Sequence, residues 1–379
     1  MDQPKNTFAD FLQEKKDKKL FRIGITLFRI LLLFLLVYLF LLSITLLGSA
    51  FKFFGQDFAN RLIATTSNPL VGLVIGILAT SIVQSSSTTT SIVVGLVGAG
   101  ALSISNAIPI IMGANVGTSV TNLLVSLGQI SHKAEFRRAF GAAVVHDLFN
   151  LITVLILFPI QCFTNFLGII SQFLANAFQS MGGLNVISPI KIITSPVIQV
   201  IEKLTGRSGI IELIISLVLL FIALRYLVKV LKSLFIGRME VFFDTVIFKN
   251  AFTSLLFGLI LTALIQSSSI TTSLIVPLVG AGILSLEQIF PYTLGANIGT
   301  TVTAMLASMA TGNISAITVA FAHLCFNLIG VALIFPVRFI PISLAQWLAD
   351  LSIKSKIYPL IYIAVIFFIF PFLVIYFMR

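Results

Sequence analysis

The chain has 379 residues, of which 58% are hydrophobic and only 10% charged, where an ordinary soluble domain carries about 25% charged residues. That composition excludes a soluble protein and points to a polytopic membrane protein with at most about eleven crossings, at roughly 20 apolar residues each. The surplus of 24 Lys and Arg over 13 Asp and Glu, a net charge of +11, then reads as basic cytoplasmic loops beside lipid headgroups rather than as a nucleic-acid surface.

Residues 1–20 mix both charge signs, and Lys15, Lys16, Lys18, Lys19 and Arg22 stand before or at the start of an apolar run at 23–47. The run is too long for a signal-peptide core, so it predicts a retained transmembrane helix with a cytoplasmic N-terminus, preceded by a solvated or interfacial flank. Pro69–Val83 and Thr88–Ala101 are apolar segments of 15 and 14 residues. As helices they reach about 21 to 23 Å, short of a hydrocarbon core of about 30 Å. Joined by the polar tetrapeptide Gln84–Ser87, they predict a re-entrant hairpin whose tip reaches mid-membrane, where irregular backbone survives only inside protein or at a cavity. Helices are predicted at 106–128 and 139–160, followed by a large external loop at 161–208 whose stretch FLGIISQFLANAF lies at the interface or packs on the bundle. Beyond it come a helix at 209–231, a second hairpin at 252–284 with tip Gln266–Ser269, and helices at 288–310, 314–336 and 357–378.

The order of these elements is that of an internal repeat. QSSSTTTSIVVGLVGAGALS from Gln84 returns as QSSSITTSLIVPLVGAGILS from Gln266, an offset of 182, and 25 of the 44 positions from Gln84 to Leu127 are identical. MGANVGTSVT from Met112 falls on LGANIGTTVT from Leu294, and after a five-residue deletion HDLFN (His146–Asn150) falls on HLCFN (His323–Asn327). Three crossings per copy turn the second copy upside down, the inverted repeat of secondary transporters, with substrate bound between the copies near the midplane. The expected fold is therefore an all-α polytopic membrane protein of two inverted-topology repeats, each with a re-entrant hairpin, and about seven crossings. Its segments are 1–20, a cytoplasmic flank; 21–160, repeat one with hairpin 69–101; 161–208, the external loop; 209–337, repeat two with hairpin 252–284; and 338–379, an interfacial segment and the last helix. The charges agree with this topology: Lys133, Arg137, Arg138, Lys232, Arg238, Lys249, Arg338, Lys354 and Lys356 fall inside, and Lys52, Arg61, Lys191, Lys203, Arg207 and, if the last helix crosses, Arg379 outside.

A Gln-Ser-Ser-Ser tip leading into a helix offers hydroxyls and free backbone N–H groups at the positive end of the helix dipole, which is an anion site. Two tips from opposite faces would share one oxygen-rich anion without help from Arg or Lys, since neither hairpin nor GAN segment contains one. Helix-to-helix hydrogen bonding is the competing reading of a serine run in a membrane helix, and duplication at matched positions weighs against it. In the GAN segments, glycines weaken the helix and free carbonyls, which with Thr hydroxyls suit Na⁺. The candidate cation ligands are Gln84, Ser85, Thr118 and Thr121, and Gln266, Ser267, Thr300 and Thr303. Close packing through small residues is the alternative there, and it explains the glycines but not the Asn. Asp147, beside His146 in an apolar span and opposite Leu324 in the second copy, is a candidate cation ligand or coupling charge, or a structural partner of His146 or of a basic residue. His146 and His323 read as interhelical hydrogen-bonders, Glu287 as interfacial, and Cys162 and Cys325 as packing residues without a disulfide or metal.

The paired QSSS tips, GANVGTSVTN with EFRRAF and HDLFN, and LGANIGTTVTA with HLCFN resemble the pattern of the type II sodium-dependent phosphate cotransporter family over about Phe21 to Pro341. The resemblance implies a sodium-coupled symporter for inorganic phosphate, with the anion held by Gln84, Ser85, Ser86, Ser87, Gln266, Ser267, Ser268, Ser269, Asn115 and Asn297, and sodium ions as coupling ions rather than a cofactor. In that family an Asp at the position of Asp147 goes with electrogenic transport. The compact 161–208 segment with Cys162 alone, and the lack of long cytoplasmic tails, suggest a bacterial inner-membrane member. A carrier of another oxyanion and a channel are the remaining alternatives. An intramembrane hydrolase using Ser86, His146 and Asp147 is disfavoured, because the serine site is duplicated and the acid is not.

Overall fold

The computed structural model describes the backbone at residues 8–181, 183–235, 248 and 250–378, and the side chains within these from Gly24 on, apart from 26, 56, 183–191, 228 and 231–235. The charges of Lys15, Lys16, Lys18, Lys19, Arg22, Lys191, Lys232, Arg238, Lys249 and Arg379 lie outside the described residues. The described chain is helical, with no strand among the described residues. Its helices are α1 (Phe8–Phe53), α2 (Gly55–Thr65), α3 (Pro69–Val83), α4 (Ser86–Gly98), α5 (Ile104–Leu127), α6 (Lys133–Thr164), α7 (Phe166–Ser180) and α8 (Gly183–Leu204). Then come α9 (Gly209–Phe235), α10 (Ala251–Ile265), α11 (Ser268–Gly280), α12 (Leu286–Thr311), α13 (Ile314–Ile334) and α14 (Phe339–Lys354). The last, α15 (Ile357–Met378), contains a π turn at Val365–Ile369.

Among the described residues six helices are long and apolar enough to cross a membrane, within α1, α5, α6, α9, α13 and α15. The seventh expected crossing, 288–310, is the 26-residue α12, which is long enough but too rich in Gly, Thr, Asn and Gln to count with the six. Its central residues, Ile289 to Thr301, are buried against neighbouring helices, so it does not depend on lipid compatibility. The outer surface is apolar where lipid would lie: Leu31, Phe34, Leu155 and Phe173 are all exposed. Within the segment 161–208 the described residues are largely helical, and the stretch expected at the interface or on the bundle packs on the bundle. Gln161 to Thr164 continue α6, and α7 buries Leu167, Gly168, Ser171 and Ala175 against α13, so the apolar residues of 166–178 have a helical packing face.

Each expected hairpin is present as two short helices, α3 with α4 and α10 with α11, of 15 and 13 residues in both cases. Asn68 caps α3, whose first residue is Pro69, and Asn250 caps α10, so both arms start where a side chain replaces the missing backbone acceptor. The base of the first hairpin meets the turn between α12 and α13, where Asn313 donates to the Gly98 carbonyl at 3.0 Å. The base of the second meets the start of α6, where Arg138 donates to the Gly280 carbonyl at 2.8 Å. Helix α5 starts just after the first base and ends just before Arg138, so the hairpins open at opposite ends of the bundle. Arg137 also pairs with Asp350 of α14, which groups 133–138 and 338–354 at one end as their charges suggest.

The glycines of the GAN segments act as packing surfaces. Helices α5 and α12 are uninterrupted through Gly113–Gly117 and Gly295–Gly299, so the expected unwinding does not occur. A methyl group at Gly113 would overlap the Leu73 carbonyl, and one at Gly117 would press on the Ile77 carbonyl. In the second copy Gly295 meets Leu255 and Gly299 meets Leu259, at the same 182-residue offset, while Gly76 and Gly258 on the hairpin arms meet the carbonyls of Ile110 and Tyr292. The helices stay intact because tertiary packing offsets the local weakness of glycine. Gly113→Ala and Gly295→Ala are each expected to cost at least about 1–3 kcal/mol by overpacking and to lower the thermal unfolding midpoint in detergent. Gly48→Ala, with nothing within 4 Å of its added carbon, is expected to leave the midpoint unchanged or raise it.

Candidate functional site

At both tips the chain breaks over two residues, not four. Gln84 (φ 55°) and Gln266 (φ 61°) end the first arms in the left-handed conformation, and Ser85 and Ser267 are extended N-caps of the second arms. Ser86, Ser87, Ser268 and Ser269 are already first-turn helix, because each N-cap serine supplies the acceptor that starts the helix: Ser85 Oγ accepts from Thr88 N at 3.2 Å, Ser267 Oγ from Ile270 N at 3.4 Å. A left-handed Gln is unusual and strained. Its retention at both tips points to its amide side chain.

The tips touch. Ser87 donates to the Gln266 carbonyl at 3.0 Å, and Thr303 of α12 donates to Gln266 Oε1 at 2.7 Å and approaches Ser87 Oγ at 3.5 Å. Beside this contact lies a cavity of about 500 Å³ lined by Ser85, Ser87 and Thr88 of the first tip, Gln266 and Ser267 of the second, and α9. Two helix N-termini with their hydroxyls therefore border one space, a suitable arrangement for an oxygen-rich anion. Two other cavities, of about 360 and 830 Å³, lie away from the tips near Lys52 and near Asn313.

The two copies are not equally closed. Gln266 is buried whereas Gln84 is exposed. Thr262 and Thr271 join the arms of the second hairpin at 2.7 Å, and Tyr292 donates to the Thr271 carbonyl at 2.8 Å. Their first-copy counterparts at the 182-residue offset are Thr80, whose hydroxyl is buried without a partner, Thr89, which bonds back to the Ser85 carbonyl, and Ile110, which cannot donate. Of the cation candidates, Thr118 and Thr300 spend their hydroxyls on the carbonyls of Ala114 and Ala296 in their own helices. Thr303 joins Gln266, and the hydroxyl of its half-buried counterpart Thr121 is enclosed without a hydrogen-bond partner.

Asn115 and Asn297, expected at the anion, are not among the residues lining the cavity between the tips. Each is used by the other copy. Asn297 Oδ1 lies 2.7 Å from His146 Nε2, and its amide donates to Asn150 at 2.8 Å; His146 Nδ1 faces the Asn122 amide at 3.1 Å. Reciprocally Asn115 Oδ1 faces His323 Nε2 and the Asn327 amide, both at 3.5 Å. The histidines are thus interhelical hydrogen-bonders, as expected. The hydrolase reading loses its geometry, since His146 is bound to amides and Ser86 is not among its partners.

Asp147 is buried, and its partner is neither His146 nor a basic residue: Tyr362 of α15 donates to Oδ2. The other oxygen, beside Ser119, makes no well-formed hydrogen bond, which leaves an acceptor free for a cation. Glu287 is at the surface, within 3.4 Å of Gln346, and Cys162 and Cys325 are unpaired. Tyr362 and Arg225 are the functional candidates that sequence reasoning missed. Arg225 lines the cavity between the tips, so that space does contain a basic side chain. The signal for Arg225 was available, an ionisable residue inside the apolar run of α9; Tyr362, outside the repeat, left none. Removing one partner of a buried hydrogen bond costs about 1–3 kcal/mol. Asn297→Ala is therefore expected to lower the thermal midpoint clearly more than Asn115→Ala, whose bonds are longer, in purified protein in detergent.

The Na⁺/Pi-cotransporter family model matches residues 39–188 and 219–338. Sodium-dependent phosphate transport protein 2A of Ovis aries is 36% identical over 93% of this chain and 68% of its own length. Protein 2A of Rattus norvegicus is 35% identical over 97% and 71%, and protein 2B of Homo sapiens 33% identical over 90% and 64%. The chain thus spans about two thirds of the length of these relatives. No solved structure matches it. With the hairpins and GAN segments of both copies inside the matched residues, the chain belongs to the Na⁺/Pi-cotransporter family.

Proposed function

We propose that the protein is a sodium-coupled symporter that imports inorganic phosphate by alternating access, with net charge movement, in a bacterial inner membrane with the N-terminus cytoplasmic. The observation that carries this reading is the meeting of the two QSSS tips at one cavity, together with relatives named as sodium-dependent phosphate transport proteins. The phosphate oxygens would be held by Ser85, Ser87, Gln266 and Ser267 and by the N–H groups of the first turns of α4 and α11, with Gln84, Ser86, Ser268 and Ser269 shaping the tips. Sodium is assigned to the oxygen-rich groups around each tip, Gln266 with Thr303, Gln84 with Ser85 and Thr121, and to Asp147. Thr118 and Thr300 would contribute only by giving up their bonds within the helix. The hairpins open at opposite ends of the bundle, and the copies are unequally closed, which supports inverted repeats that exchange roles during the cycle.

In proteoliposomes, phosphate uptake is expected to follow an imposed Na⁺ gradient and to stop when choline replaces Na⁺. Uptake unchanged in choline would refute the coupling. Ser87→Ala, which removes a group shared by both tips, is expected to raise the apparent phosphate constant about tenfold or more, by the 1.5–3 kcal/mol of a hydrogen bond to a charged group. Asp147→Asn is expected to reduce the dependence of transport current on membrane potential while uptake persists; the same dependence in both proteins would remove Asp147 from charge coupling. Competition by sulfate and arsenate against labelled phosphate reads the selectivity among tetrahedral oxyanions.

A further inference from the structure

Arg225 is the charged side chain among those lining the cavity between the tips, and its neighbours on the α9 wall, Phe221, Ile222 and Leu224, are apolar. It stands two residues before the end of the membrane-length apolar run Gly209–Leu227, with its side chain exposed toward the cavity mouth, and no carboxylate pairs with it among the described residues. A guanidinium in apolar surroundings is costly unless an anion or water meets it. Here the facing wall of the same cavity carries Ser85, Ser87 and Ser267, which recognise an oxyanion by hydrogen bonds but bring no net charge to it.

The charge is one-sided. At the 182-residue offset of the repeat, the counterpart of Arg225 is Ser43 of α1, whose hydroxyl is buried and bonded to the Phe40 carbonyl. The first copy therefore has no cation at this position, although the tips themselves are nearly identical.

Resting on the phosphate reading of the tips, we infer that Arg225 is a specificity-determining contact for the anion: its guanidinium engages two oxygens of the tetrahedral ion entering the cavity and favours the doubly over the singly charged form. Arg suits this task because its planar fork matches two oxygens at once and keeps its charge in an apolar setting, whereas Lys offers a single point charge. Serine tips select the shape of the ion, and Arg225 selects its charge. The competing role for Arg225 is that of an interfacial residue whose long stem lies on apolar surface while its head reaches the headgroups, as for Lys229 one turn further along α9. That role would affect insertion and stability and would leave substrate affinity alone.

The full-length protein in proteoliposomes separates these roles. Arg225→Gln is expected to raise the apparent phosphate constant about tenfold or more, the scale of a lost charge-assisted hydrogen bond, with the maximal rate and the apparent Na⁺ constant retained. It should also weaken the preference for divalent phosphate, read as a flatter dependence of the phosphate constant on pH across the second ionisation of the substrate. Arg225→Lys should restore the pH dependence and recover only part of the affinity. A second readout avoids reliance on transport rates: with Cys162→Ser in the background, modification of Arg225→Cys by a charged thiol reagent should be slowed by phosphate together with Na⁺, and not by Na⁺ alone. Unchanged phosphate constants in both the Gln and Lys variants, or labelling indifferent to phosphate, overturn the inference. If Ser87→Ala still impairs uptake in that case, the reading of the tips stands without Arg225; if Ser87→Ala is also silent, that reading fails first.

Discussion

The arrangement depends on the approach of backbone to backbone along two seams, α3 on α5 and α10 on α12. A helix of 13 to 15 residues cannot reach across a hydrocarbon core of about 30 Å, and its inner end would leave unpaired backbone groups in the least forgiving solvent. Such a helix is tolerated only when protein encloses that end. Gly76, Gly113 and Gly117 let the backbones of α3 and α5 come into contact, and Gly258, Gly295 and Gly299 do the same for α10 and α12. Each half-length arm is thereby laid on a full-length helix that carries its tip to a fixed depth. Without these seams there would be no common point at which Ser87 meets Gln266.

Given that scaffold, the tips can be polar because each is satisfied by the other copy. Ser87 of the first donates to the second, Thr272 of the second hairpin donates to Asn122 of α5 at 3.0 Å, and Asn122 in turn faces His146. The exchange of Asn115 and Asn297 between copies adds a second layer beneath the tips. Buried polar networks of this kind are worth having only when their members are satisfied. The unsatisfied members, Thr80, Thr121, His323 Nδ1 and Asn327 Oδ1, belong to the first hairpin with its supporting helix and to the His323–Asn327 pair that faces Asn115. Their second-hairpin and first-copy equivalents, Thr262, Thr303, His146 and Asn150, are bonded. The second hairpin is thus tied into the bundle and the first keeps spare donors and acceptors, an inequality that the proposed exchange between the two halves would use.

The fold was legible because its signals are long-range and redundant. Segment length distinguished half-helices from crossings, and a 182-residue repeat located both tips without any appeal to propensity. Local chemistry was read less well where tertiary packing decides. Glycine in an isolated helix weakens it, so Gly113 and Gly117 suggested unwinding; in the bundle they are the surface on which another helix rests. Asn115 and Asn297 looked like ligands because a polar side chain in an apolar span demands a partner, and the sequence cannot say that the partner is a histidine 151 residues away, as it is for Asn297. In 161–208 the sequence shows an apolar stretch that lies at the interface or on the bundle, but not which helix receives it: α6 extends through Thr164, and α7 packs on α13. Asp147 was recognised as a functional candidate, but its partner Tyr362 lies outside the repeat and could be found only in three dimensions.

Charge explains why the two kinds of ion would depend on each other. A phosphate dianion at the tips would face two helix ends, each equivalent to about half an elementary charge, so helix dipoles alone do not neutralise it. Arg225 lies on one wall of the cavity only, and Asp147 adds a negative charge in the first copy with no counterpart at Leu324 in the second. A site that collects anions and carboxylates in a low-dielectric interior remains short of positive charge, and bound cations are the means of supplying it. The unsatisfied oxygens of Thr121 and Asp147, and the carbonyl and amide oxygens of Gln266 beside Thr303, are hard donors of the kind that Na⁺ takes. The two helix ends and Arg225 together bring about two positive charges to a dianion, so the uncompensated charge is that of Asp147; on the proposed reading a sodium ion taken by its free oxygen would restore the balance, and phosphate would be held better with sodium present than without it.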